Sequence, residues 1–478
     1  MIFTLDGHLR LTDCPASLRR RLMDELTIPN PAFTRASYLG LPTYNLPREL
    51  LLYEVQNNEL VLPRGMANTV WRQRPKDTQR RDEMTLCPAP VWPLGSIALR
   101  PYQQQAADAV LDSRTPQGVL VMPCGAGKTE TGLYLARAIG QPTLWIAHTN
   151  DLIQQAADRA RTRLGLSGEQ IGVLNGKEKR LGTHLTVATV QTLYHMELDE
   201  LAGKFGTVIV DECQHVVANP ACAEMFNAVL GCLPARYRYG LTATPSRGDG
   251  LEETIHLILG DTLTTVDRQV LVETGSTVVP AIQPVRTGFC YEPTAREREH
   301  IDMARLRRCL AADYVRCDGI LQLLEADLLA GHTALVLGSS LDILEDMQAA
   351  LERSPRLTDA GIGARFICGA TKANHRAEAL RAVKTPGSPV HCLLATYQLA
   401  KEGLDIPRAD RLYLVQPVRD KVAVEQAVGR IMRPAPGKTD ALVYDFIDDK
   451  VPTCRSQYAA RRRVYKQLNT NILEGIAL

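Results

Sequence analysis

Short, fully apolar runs alternate with amphipathic segments along most of the chain after residue 94. The first series comprises residues 119–122, 144–147, 185–190, 208–210 and 239–242, and the second comprises residues 334–337, 365–367, 393–395, 412–415 and 442–446. Buried strands that are separated by helices are typical of βαβ units, in which the strands form a parallel sheet. The pattern therefore predicts an α/β protein with two parallel-sheet domains in tandem.

The first 93 residues follow a different pattern. Residues 2–12 alternate around Asp6-Gly7, a dipeptide that favours a hairpin, and residues 15–26 have helical spacing with three arginines at 19–21. We expect a small α+β accessory domain there. The predicted organisation is an accessory domain at 1–93, a first parallel-sheet domain at 94–270, a linker at 271–300, a second parallel-sheet domain at 301–450 and a basic tail at 451–478.

Composition narrows the class of protein without identifying a partner. The chain has 478 residues, with 55 lysines and arginines against 53 aspartates and glutamates. Its ordinary composition excludes collagen-like, low-complexity and largely disordered chains. No apolar run approaches the roughly 20 residues of a membrane-spanning helix and no secretory signal is visible, so we expect a cytoplasmic protein with no membrane partner. The net charge of +2 leaves nucleic-acid binding open, because a cleft can be locally basic.

A glycine-rich loop follows the first apolar run. It reads Pro-Cys-Gly-Ala-Gly-Lys-Thr over residues 123–129 and continues into a helical pattern. Glycines let backbone amides surround phosphates at a helix N-terminus, while the lysine reaches the β- and γ-phosphates and the threonine hydroxyl binds Mg²⁺. The loop predicts a site for ATP and Mg²⁺ that is formed by Gly125, Ala126, Gly127, Lys128 and Thr129.

An acidic pair, Asp211 and Glu212, follows the apolar run at 207–210. An ATPase with this kind of loop needs one carboxylate that holds Mg²⁺ and a second that activates water. The pair lies 211 − 128 = 83 residues after Lys128, a separation that accommodates a few βα units. We predict that Asp211 is a metal ligand and Glu212 the catalytic base. Paired acids on a solvated face are the alternative.

The second series of apolar runs has no such loop, so we expect only one nucleotide site. The series contains Arg430 and Arg433, which are three residues apart and would share one face of a helix. An arginine that reaches the γ-phosphate from a separate domain stabilises the transition state and contributes roughly 10³- to 10⁵-fold in rate. A basic surface helix is the alternative interpretation of this pair.

Together these motifs resemble, in order, those of the superfamily 2 helicases and translocases. The matching segments are LRPYQ (99–103), MPCGAGKT (122–129), TLWIAHTNDLIQQ (143–155), TVATVQTL (186–193), VDECQH (210–215), GLTATPSR (240–247), ALVLGSS (334–340), ICGATK (367–372), ATYQLAKEGLDIP (395–407) and QAVGRIMR (426–433). The XPB and UvsW-like branch is more similar still, since it shares an apolar residue at Met122 and text like residues 28–31, 62–65 and 444–448. One departure is Arg247-Gly248-Asp249, where XPB proteins carry Arg-Glu-Asp.

The resemblance implies two RecA-like motor domains and assigns roles by motif position. Arg100 and Gln103 would bind ATP on its adenine side, and Gly403 and Asp405 would also contact the nucleotide. Gln426 would join the catalytic arginines. The residues that would couple nucleotide state to the strand are His215, Thr242 and Thr244. The candidates for nucleic-acid contacts are Thr149, Thr189, Gln191, Ser339, Thr371, Lys372 and Thr396, although hydroxyls at such positions also cap helices.

The implied function is an ATP-dependent DNA helicase or double-stranded DNA translocase in repair, recombination or replication restart. A single strand would lie along the motor domains, and the N-terminal domain would either bind duplex or branched DNA through residues 19–21 or only stiffen the first motor domain. Residues 461–463, all arginine, would contact nucleic acid or form a solvated helix face. An RNA helicase and a nucleotide-gated clamp that does not translocate are the functional alternatives.

Overall fold

The computed structural model describes residues 1–38, 40–217, 220–243, 252–294, 297, 301–401, 404 and 406–478. The chain divides into two compact units, residues 1–267 and residues 268–478. The first unit contains the N-terminal α+β region and one parallel sheet, and the second unit contains the other parallel sheet. Within the described ranges, no helix combines the length and the apolar character needed to cross a bilayer.

A five-stranded sheet and three helices form the N-terminal region. The strands are β1 (Ile2–Leu5), β2 (Leu9–Thr12), β3 (Thr27–Pro29), β4 (Glu49–Leu51), β5 (Glu54–Gln56), β6 (Glu59–Leu62) and β7 (Gln79–Asp82), and the helices are α1 (Ala16–Glu25), α2 (Pro31–Tyr38) and α3 (Ala67–Gln73). The sheet order is β5-β6-β2-β1-β7, while β3 and β4 pair separately. The antiparallel pairing of β1 with β2 confirms the hairpin predicted at Asp6-Gly7.

Two buried arginines join the N-terminal region to the sheet of the first unit. The Arg64 guanidinium donates to Gln117 Oε1 at 2.6 Å and to the carbonyl oxygen of Ala235, also at 2.6 Å. Arg238 donates from the opposite side to the carbonyl oxygen of Gly7 at 3.0 Å. A side chain at Gly7 would collide with the backbone of residue 231, so the hairpin packs directly against the end of the helix Pro220–Gly231 of the first unit.

The parallel sheet of the first unit has eight strands and carries the phosphate-binding loop. Its strands are β8 (Gln117–Val121), β9 (Thr143–Ala147), β10 (Ile171–Leu174), β11 (Lys179–Arg180), β12 (Leu185–Thr189), β13 (Thr207–Val210), β14 (Tyr237–Thr242) and β15 (Thr262–Thr265). The order is β11-β10-β12-β9-β13-β14-β8-β15, and only β11 runs antiparallel to its neighbour. The helices are α4 (Pro101–Leu111), α5 (Lys128–Ile139), α6 (Asn150–Arg159), α7 (Val190–Tyr194), α8 (Pro220–Gly231) and α9 (Glu252–Leu259). Fully buried β-strands with helices on both faces explain the continuous apolar runs of the sequence.

The second unit repeats this architecture. Its strands are β16 (Ala281–Arg286), β17 (Ala334–Gly338), β18 (Gly363–Ile367), β19 (Val390–Thr396), β20 (Arg411–Leu414), β21 (Leu442–Ile447), β22 (Asn471–Ile472) and β23 (Ile476–Ala477). They follow the order β18-β19-β17-β20-β21-β16-β22, with β23 also on β16. The helices are α10 (Arg268–Glu273), α11 (Met303–Ala312), α12 (Tyr314–Leu329), α13 (Leu341–Arg353), α14 (Pro355–Asp359), α15 (Ala373–Lys384), α16 (Tyr397–Lys401), α17 (Lys421–Ile431) and α18 (Pro452–Gln467). The α/β class predicted from the apolar runs is confirmed.

The predicted linker, 271–300, differs from the structure. It contains β16, which pairs in parallel with β21 over its whole length. Pro284 argues against an internal strand because it lacks an amide hydrogen. The structure accommodates it because β22 pairs with Ala281 and Ile282 and β23 pairs with Val285 and Arg286, so Pro284 falls between these two partners.

The predicted basic tail, 451–478, also differs from the structure. It forms α18 and the edge strands β22 and β23 on the second sheet. Arg461 is 2% exposed and its NH2 group lies 2.7 Å from Asp445 Oδ1, so this arginine is neither a nucleic-acid contact nor part of a solvated face. The run of three arginines therefore combines one buried ion pair with two exposed side chains, Arg462 and Arg463.

Candidate active site

The phosphate-binding loop connects β8 to α5. Gly125 and Gly127 have φ of 83° and 81°, a left-handed conformation that glycine adopts without strain. The loop ends where Gly127 caps α5, so the amides of the first turn and the side chains of Lys128 and Thr129 lie at the N-terminus of a helix. This geometry favours a bound anion. Gly125, Ala126, Gly127, Lys128 and Thr129 thus lie at the start of α5, and their binding of ATP stays a prediction.

Gln103 fixes the loop from the neighbouring helix. Its Nε2 donates to the Ala126 carbonyl oxygen at 2.7 Å, and its Oε1 accepts from the Arg100 amide at 2.8 Å. A side chain on Gly127 would lie 2.2 Å from Gln103 Nε2, so glycine is required there for this contact as well as for its φ. Gln103 is buried, whereas the Arg100 side chain is exposed and donates to the Tyr102 hydroxyl at 3.2 Å. Gln103 thus lies next to the predicted nucleotide site, and Arg100 is joined to it through its backbone amide.

The acidic pair follows β13 and faces the loop. Lys128 Nζ lies 3.5 Å from Glu212 Oε1, and the Glu212 amide donates to Asp211 Oδ1 at 2.9 Å. Glu212 has φ of 47°, a strained conformation for a residue with a side chain and one that is typical of functional positions. Burial and the neighbouring Glu212 charge raise the pKa of Asp211 to about 7. A desolvated carboxylate of this kind is stabilised by a cation.

The donor chemistry of the site fits Mg²⁺. Hard divalent cations take oxygen ligands from carboxylates and hydroxyls, and Mg²⁺ usually keeps several waters beside one or two protein ligands. Asp211 and Thr129 provide one carboxylate and one hydroxyl in the first unit. Asp211 is only 5% exposed and lies beside a second carboxylate, so a divalent cation would offset two unfavourable effects at once. These two residues remain the predicted metal ligands.

Gln214 is a residue of the site that sequence reasoning missed. Its Nε2 donates to Glu212 Oε2 at 2.8 Å, and its Oε1 accepts from the Thr242 hydroxyl at 2.7 Å. The amide therefore connects the predicted catalytic base with the end of β14. Nothing in the sequence indicates this bond, because Gln214 and Thr242 are 28 residues apart. Thr244, the second residue predicted for coupling on this connection, lies outside the described residues.

A pair of stacked imidazoles continues from the acidic pair towards the predicted strand contacts. The rings of His148 and His215 have centroids 3.7 Å apart and are inclined by 26°. The His148 carbonyl oxygen accepts from Gln191 Nε2 at 3.1 Å. Burial lowers the pKa of His148. His215, one of the predicted coupling residues, is thus linked through His148 to the nucleic-acid candidate Gln191.

The two threonines predicted as strand contacts in the first unit have local partners. The Thr149 hydroxyl accepts from the Leu152 amide at 3.4 Å and caps α6. Thr189 is 5% exposed and donates to the Thr192 hydroxyl at 2.8 Å. Capping is therefore part of the role of Thr149, and the burial of Thr189 restricts how it can contact a strand. Neither of these two hydrogen bonds uses the backbone amides that come directly after β9 and β12.

In the second unit, three of the predicted strand contacts follow neighbouring strands. Ser339 follows β17, Thr371 follows β18 and Thr396 ends β19. The amides of Ser339 and Ser340 donate to Gln416 Oε1 at 2.6 and 2.9 Å, so a buried glutamine orders the turn after β17. Thr371 accepts from the Cys368 amide at 2.9 Å. Lys372 is exposed at the N-terminus of α15.

The predicted catalytic residues of the second unit lie on α17 and just after it. Gln426 is 5% exposed, and its Oε1 is buried without a hydrogen-bond partner among the described residues. Arg430 NH2 donates to the Ala400 carbonyl oxygen at 3.2 Å. The helix ends at Ile431, so Arg433 lies beyond it and the expectation that both arginines share one helical face is wrong. Gly403 and Asp405 lie outside the described residues.

Comparisons with known proteins identify the two units separately. The family described as "Type III restriction enzyme, res subunit" matches residues 96–247, and the family "Helicase conserved C-terminal domain" matches residues 317–435. The first match covers the phosphate-binding loop and the acidic pair, and the second covers the strand ends from β17 to α17. The two matches occur in the order that the motifs predict.

Similar proteins include helicases of viral and archaeal origin. A putative ATP-dependent RNA helicase of Acanthamoeba polyphaga mimivirus is 25% identical over 78% of this chain and 69% of its own length. A putative DNA 3'-5' helicase Rad25 of Halobacterium salinarum is 28% identical over 71% of this chain, which spans only 52% of that relative.

A solved structure supports the fold. Dbp5 of S. cerevisiae, bound to RNA and ADP BeF3, aligns with a TM-score of 0.58 at 12% identity, over 87% of this chain and 94% of that one. Identity this low shows the fold alone, which is that of two RecA-like domains. The two parallel-sheet units thus match a restriction-enzyme res-subunit family and a helicase C-terminal family, one family each, with the motifs in order along them, and this is the organisation of the superfamily 2 helicases and translocases that the sequence resembles.

Proposed function

We propose that the protein is an ATP-dependent DNA helicase or double-stranded DNA translocase. The observation that carries the proposal is the hydrogen-bonded path from Glu212 through Gln214 to Thr242, because it joins the predicted base for ATP hydrolysis to the strand end of β14. A static nucleotide-binding protein has no need for such a connection. The name of the archaeal relative favours DNA, whereas that of the mimiviral relative favours RNA.

The residues of the first unit support ATP hydrolysis. When bound, Mg²⁺ would neutralise charge on the phosphates and would be held by Asp211 and Thr129. Lys128 Nζ lies 3.5 Å from Glu212 Oε1. Because Lys128 is the cation of the phosphate-binding loop, it would exchange this ion pair for one with the phosphates when ATP binds. Glu212, freed of this ion pair but still held by Gln214, would orient the attacking water and accept its proton.

The second unit would contribute Gln426 and its two arginines to the same reaction. A guanidinium that reaches the γ-phosphate stabilises the charge that develops there. The Oε1 of Gln426, which has no donor in the part of the chain that the structure describes, supports this role, because a buried amide oxygen without a donor is rare in the absence of a ligand. Arg430 donates to the backbone of residue 400, and Arg433 follows the end of the helix. Closure of the two domains on ATP and their opening after hydrolysis would produce movement along the strand.

A single strand of DNA would contact each unit mainly through its phosphates. A motor must accept any sequence, and phosphate contacts carry no sequence information. In the first unit the amides and side chains after β9 and β12 would provide these contacts, at Thr149, Thr189 and Gln191. In the second unit Ser339, Thr371, Lys372 and Thr396 would do so.

The N-terminal region would bind duplex or branched DNA as well as support the motor. Its exposed arginines surround Trp71, with Arg74 3.8 Å and Arg80 5.5 Å from the ring centroid, and Arg20 and Arg21 are exposed on α1. Exposed cations beside an aromatic ring are typical of nucleic-acid surfaces. The buried contacts of Arg64 and Arg238 support the second role, that of stiffening the first unit.

ATPase assays with and without nucleic acid test the proposal. We expect hydrolysis that DNA stimulates more than RNA does, and we expect Lys128→Ala to abolish it. Lys204→Ala, which removes an exposed lysine of the same unit, is the matched control and should hydrolyse ATP normally. Normal hydrolysis by Lys128→Ala would refute the site, and stimulation by RNA alone would favour the RNA helicase.

Displacement of a triplex-forming strand then separates movement from clamping. A translocase displaces the third strand only while it hydrolyses ATP. A protein that binds DNA in response to ATP but never displaces the strand would be the nucleotide-gated clamp.

A further inference from the structure

A cavity of about 390 Å³ lies beside the strand ends of the second unit. The residues that line it are Arg307, Gly338, Ser339, Gly369, Thr396, Tyr397, Gln398 and Leu399. Ser339 and Thr396 are predicted strand contacts, whereas Arg307 lies on α11, outside every motif that carries the family resemblance. The volume is at the lower end of the range for ligand clefts, roughly 300–1,000 Å³.

Arg307 is a partly buried cation that is unpaired in the described part of the chain. Its Nε is buried and has no hydrogen-bond partner, and its guanidinium forms no ion pair with a described carboxylate. Arg305, two residues earlier on α11, shows the usual arrangement, because it lies 2.6 Å from Glu297 and also donates to the Tyr291 hydroxyl. A guanidinium has five donors, and native proteins rarely bury donors without an acceptor. The missing acceptor of Arg307 is therefore expected to come from a ligand.

The charge and the polar groups of the rest of the cavity favour an anionic ligand. None of the described residues that line it is acidic, so its only charge is the guanidinium of Arg307. Ser339 and Thr396 add hydroxyl groups at the ends of neighbouring strands. Gly369 has open space where a side chain would be, which leaves the backbone accessible. A cation with neutral donors and no carboxylate suits a phosphodiester group.

The turn beside Arg307 is also ordered in advance. Gln416 is 1% exposed, and it receives hydrogen bonds from both serine amides of the turn and donates to the Ser340 hydroxyl at 2.8 Å. A side chain on Gly338 would lie 3.1 Å from Leu344 and 3.3 Å from Gln416, so the turn has little room to shift. A ligand that enters the cavity would meet groups that are already in position, which lowers the entropic cost of binding.

We propose that Arg307 contacts a backbone phosphate of the bound nucleic-acid strand, with Ser339 and Thr396 as its neutral partners. The inference rests on the proposed function, since it requires that a strand lies along the second unit. The planar fork of the guanidinium binds two phosphate oxygens at once. The contact is independent of base sequence, as a motor requires.

The salt dependence of single-strand binding tests this contact. For each phosphate contact, the slope of log affinity against log salt concentration is about −0.7 for a single strand. Arg307→Ala should therefore lower the magnitude of the slope by about 0.7. Arg308→Ala is the matched control, because Arg308 is the next residue of α11 and is exposed outside the cavity. Its slope should equal that of the unaltered protein.

Two further variants make the test independent of folding defects. Arg307→Lys keeps the charge and should retain most of the slope, with a weaker affinity because one ammonium replaces the fork. Arg307→Gln keeps much of the side-chain stem and removes the charge, so it should reproduce the slope of Arg307→Ala even if the alanine variant unfolds.

The outcomes distinguish this inference from the function on which it rests. If the unaltered protein binds single strands with a clear salt slope and Arg307→Gln has the same slope, the inference is wrong and the proposed function stands. An equal loss in Arg308→Ala would also overturn the inference, because it would indicate general surface charge. Binding by the unaltered protein that is indifferent to salt would overturn both.

Discussion

Replacing Arg64 tests whether the N-terminal region is an integral part of the first motor domain. Arg64 is 1% exposed and donates hydrogen bonds to Gln117 Oε1 and to the carbonyl oxygens of Asp6, Ala235 and Arg236. Burial lowers the pKa of this arginine to about 10, so it remains charged at neutral pH. The Arg64→Ala variant would leave four acceptors without their donor, two in buried and two in partly buried hydrogen bonds.

The expected loss of stability is large. A buried acceptor that loses its donor costs roughly 1–3 kcal/mol, so the four acceptors of Arg64, two of them in buried hydrogen bonds, together give an expected loss of about 3–5 kcal/mol. For a unit of about 250 residues, each kcal/mol lowers the melting temperature by roughly 2–4 °C. We therefore expect the melting temperature of the first unit to fall by about 6–20 °C.

Differential scanning calorimetry and circular dichroism measure this change. Arg72→Ala is the matched control, because Arg72 is an exposed arginine of the same region and its loss should change stability by less than about 0.5 kcal/mol. Arg64→Lys should be nearly as unstable as Arg64→Ala, since one ammonium cannot reach four acceptors on different segments. A fall of less than about 3 °C for Arg64→Ala would refute the view that this arginine joins the two parts of the unit.

Two further predictions concern coupling and pH. Thr242→Val removes the donor to Gln214 Oε1 and should lower kcat for ATP hydrolysis about tenfold with little change in KM. Thr242→Ser keeps the hydroxyl and should retain activity. An unchanged kcat for the valine variant in a steady-state assay would contradict this prediction. Burial lowers the pKa of His8 to about 4. As the pH falls, this imidazole is therefore protonated in the unfolded chain before it is protonated in the folded protein. The free energy of unfolding should consequently fall by roughly 3 kcal/mol from pH 7 to pH 4. His8→Gln, compared by urea unfolding at both pH values, should lose that part of the dependence, and an identical pH profile would exclude His8 as its source.

The nucleotide site could be predicted because its chemistry is local in sequence. The loop at 123–129 and the acidic pair Asp211 and Glu212 are each continuous, and each follows a buried strand whose apolar run is visible. Parallel strands place their carboxyl ends at one edge of the sheet, so the separation of 83 residues between Lys128 and Asp211 does not hide their proximity. The topology of a parallel sheet therefore brings these distant segments together at one site.

Other features could not be predicted because their partners are distant and chemically ordinary. Gln214 is an unremarkable amide in the sequence, and only the fold shows that it lies between Glu212 and Thr242. The strand at 281–286 contains a proline. The sheet tolerates this proline because two short strands at the end of the chain pair on either side of it. Arg461 reads as part of a basic run until Asp445 is seen beside it.

The near-neutral net charge has a different meaning once these arginines are placed. Arg64, Arg238, Arg316 and Arg461 are among the largest fully buried side chains of the described residues. Arg316 and Arg461 pair with Asp448 and Asp445, so each pair contributes nothing to the surface. Arg64 and Arg238 instead bind carbonyl oxygens, so their positive charge is counted in the total but is shielded from solvent.

The cations that remain for nucleic acid are consequently fewer than the composition suggests, and their position matters more than their number. Arg307 has no such partner among the described residues, in contrast to the four buried arginines. A protein that grips a strand through a small number of phosphates can release each one at modest cost, because each contact contributes only a limited, salt-dependent part of the affinity. Repeated release is what movement along a strand requires, so a near-neutral chain with a few well-placed cations suits a translocase better than a broadly basic surface would.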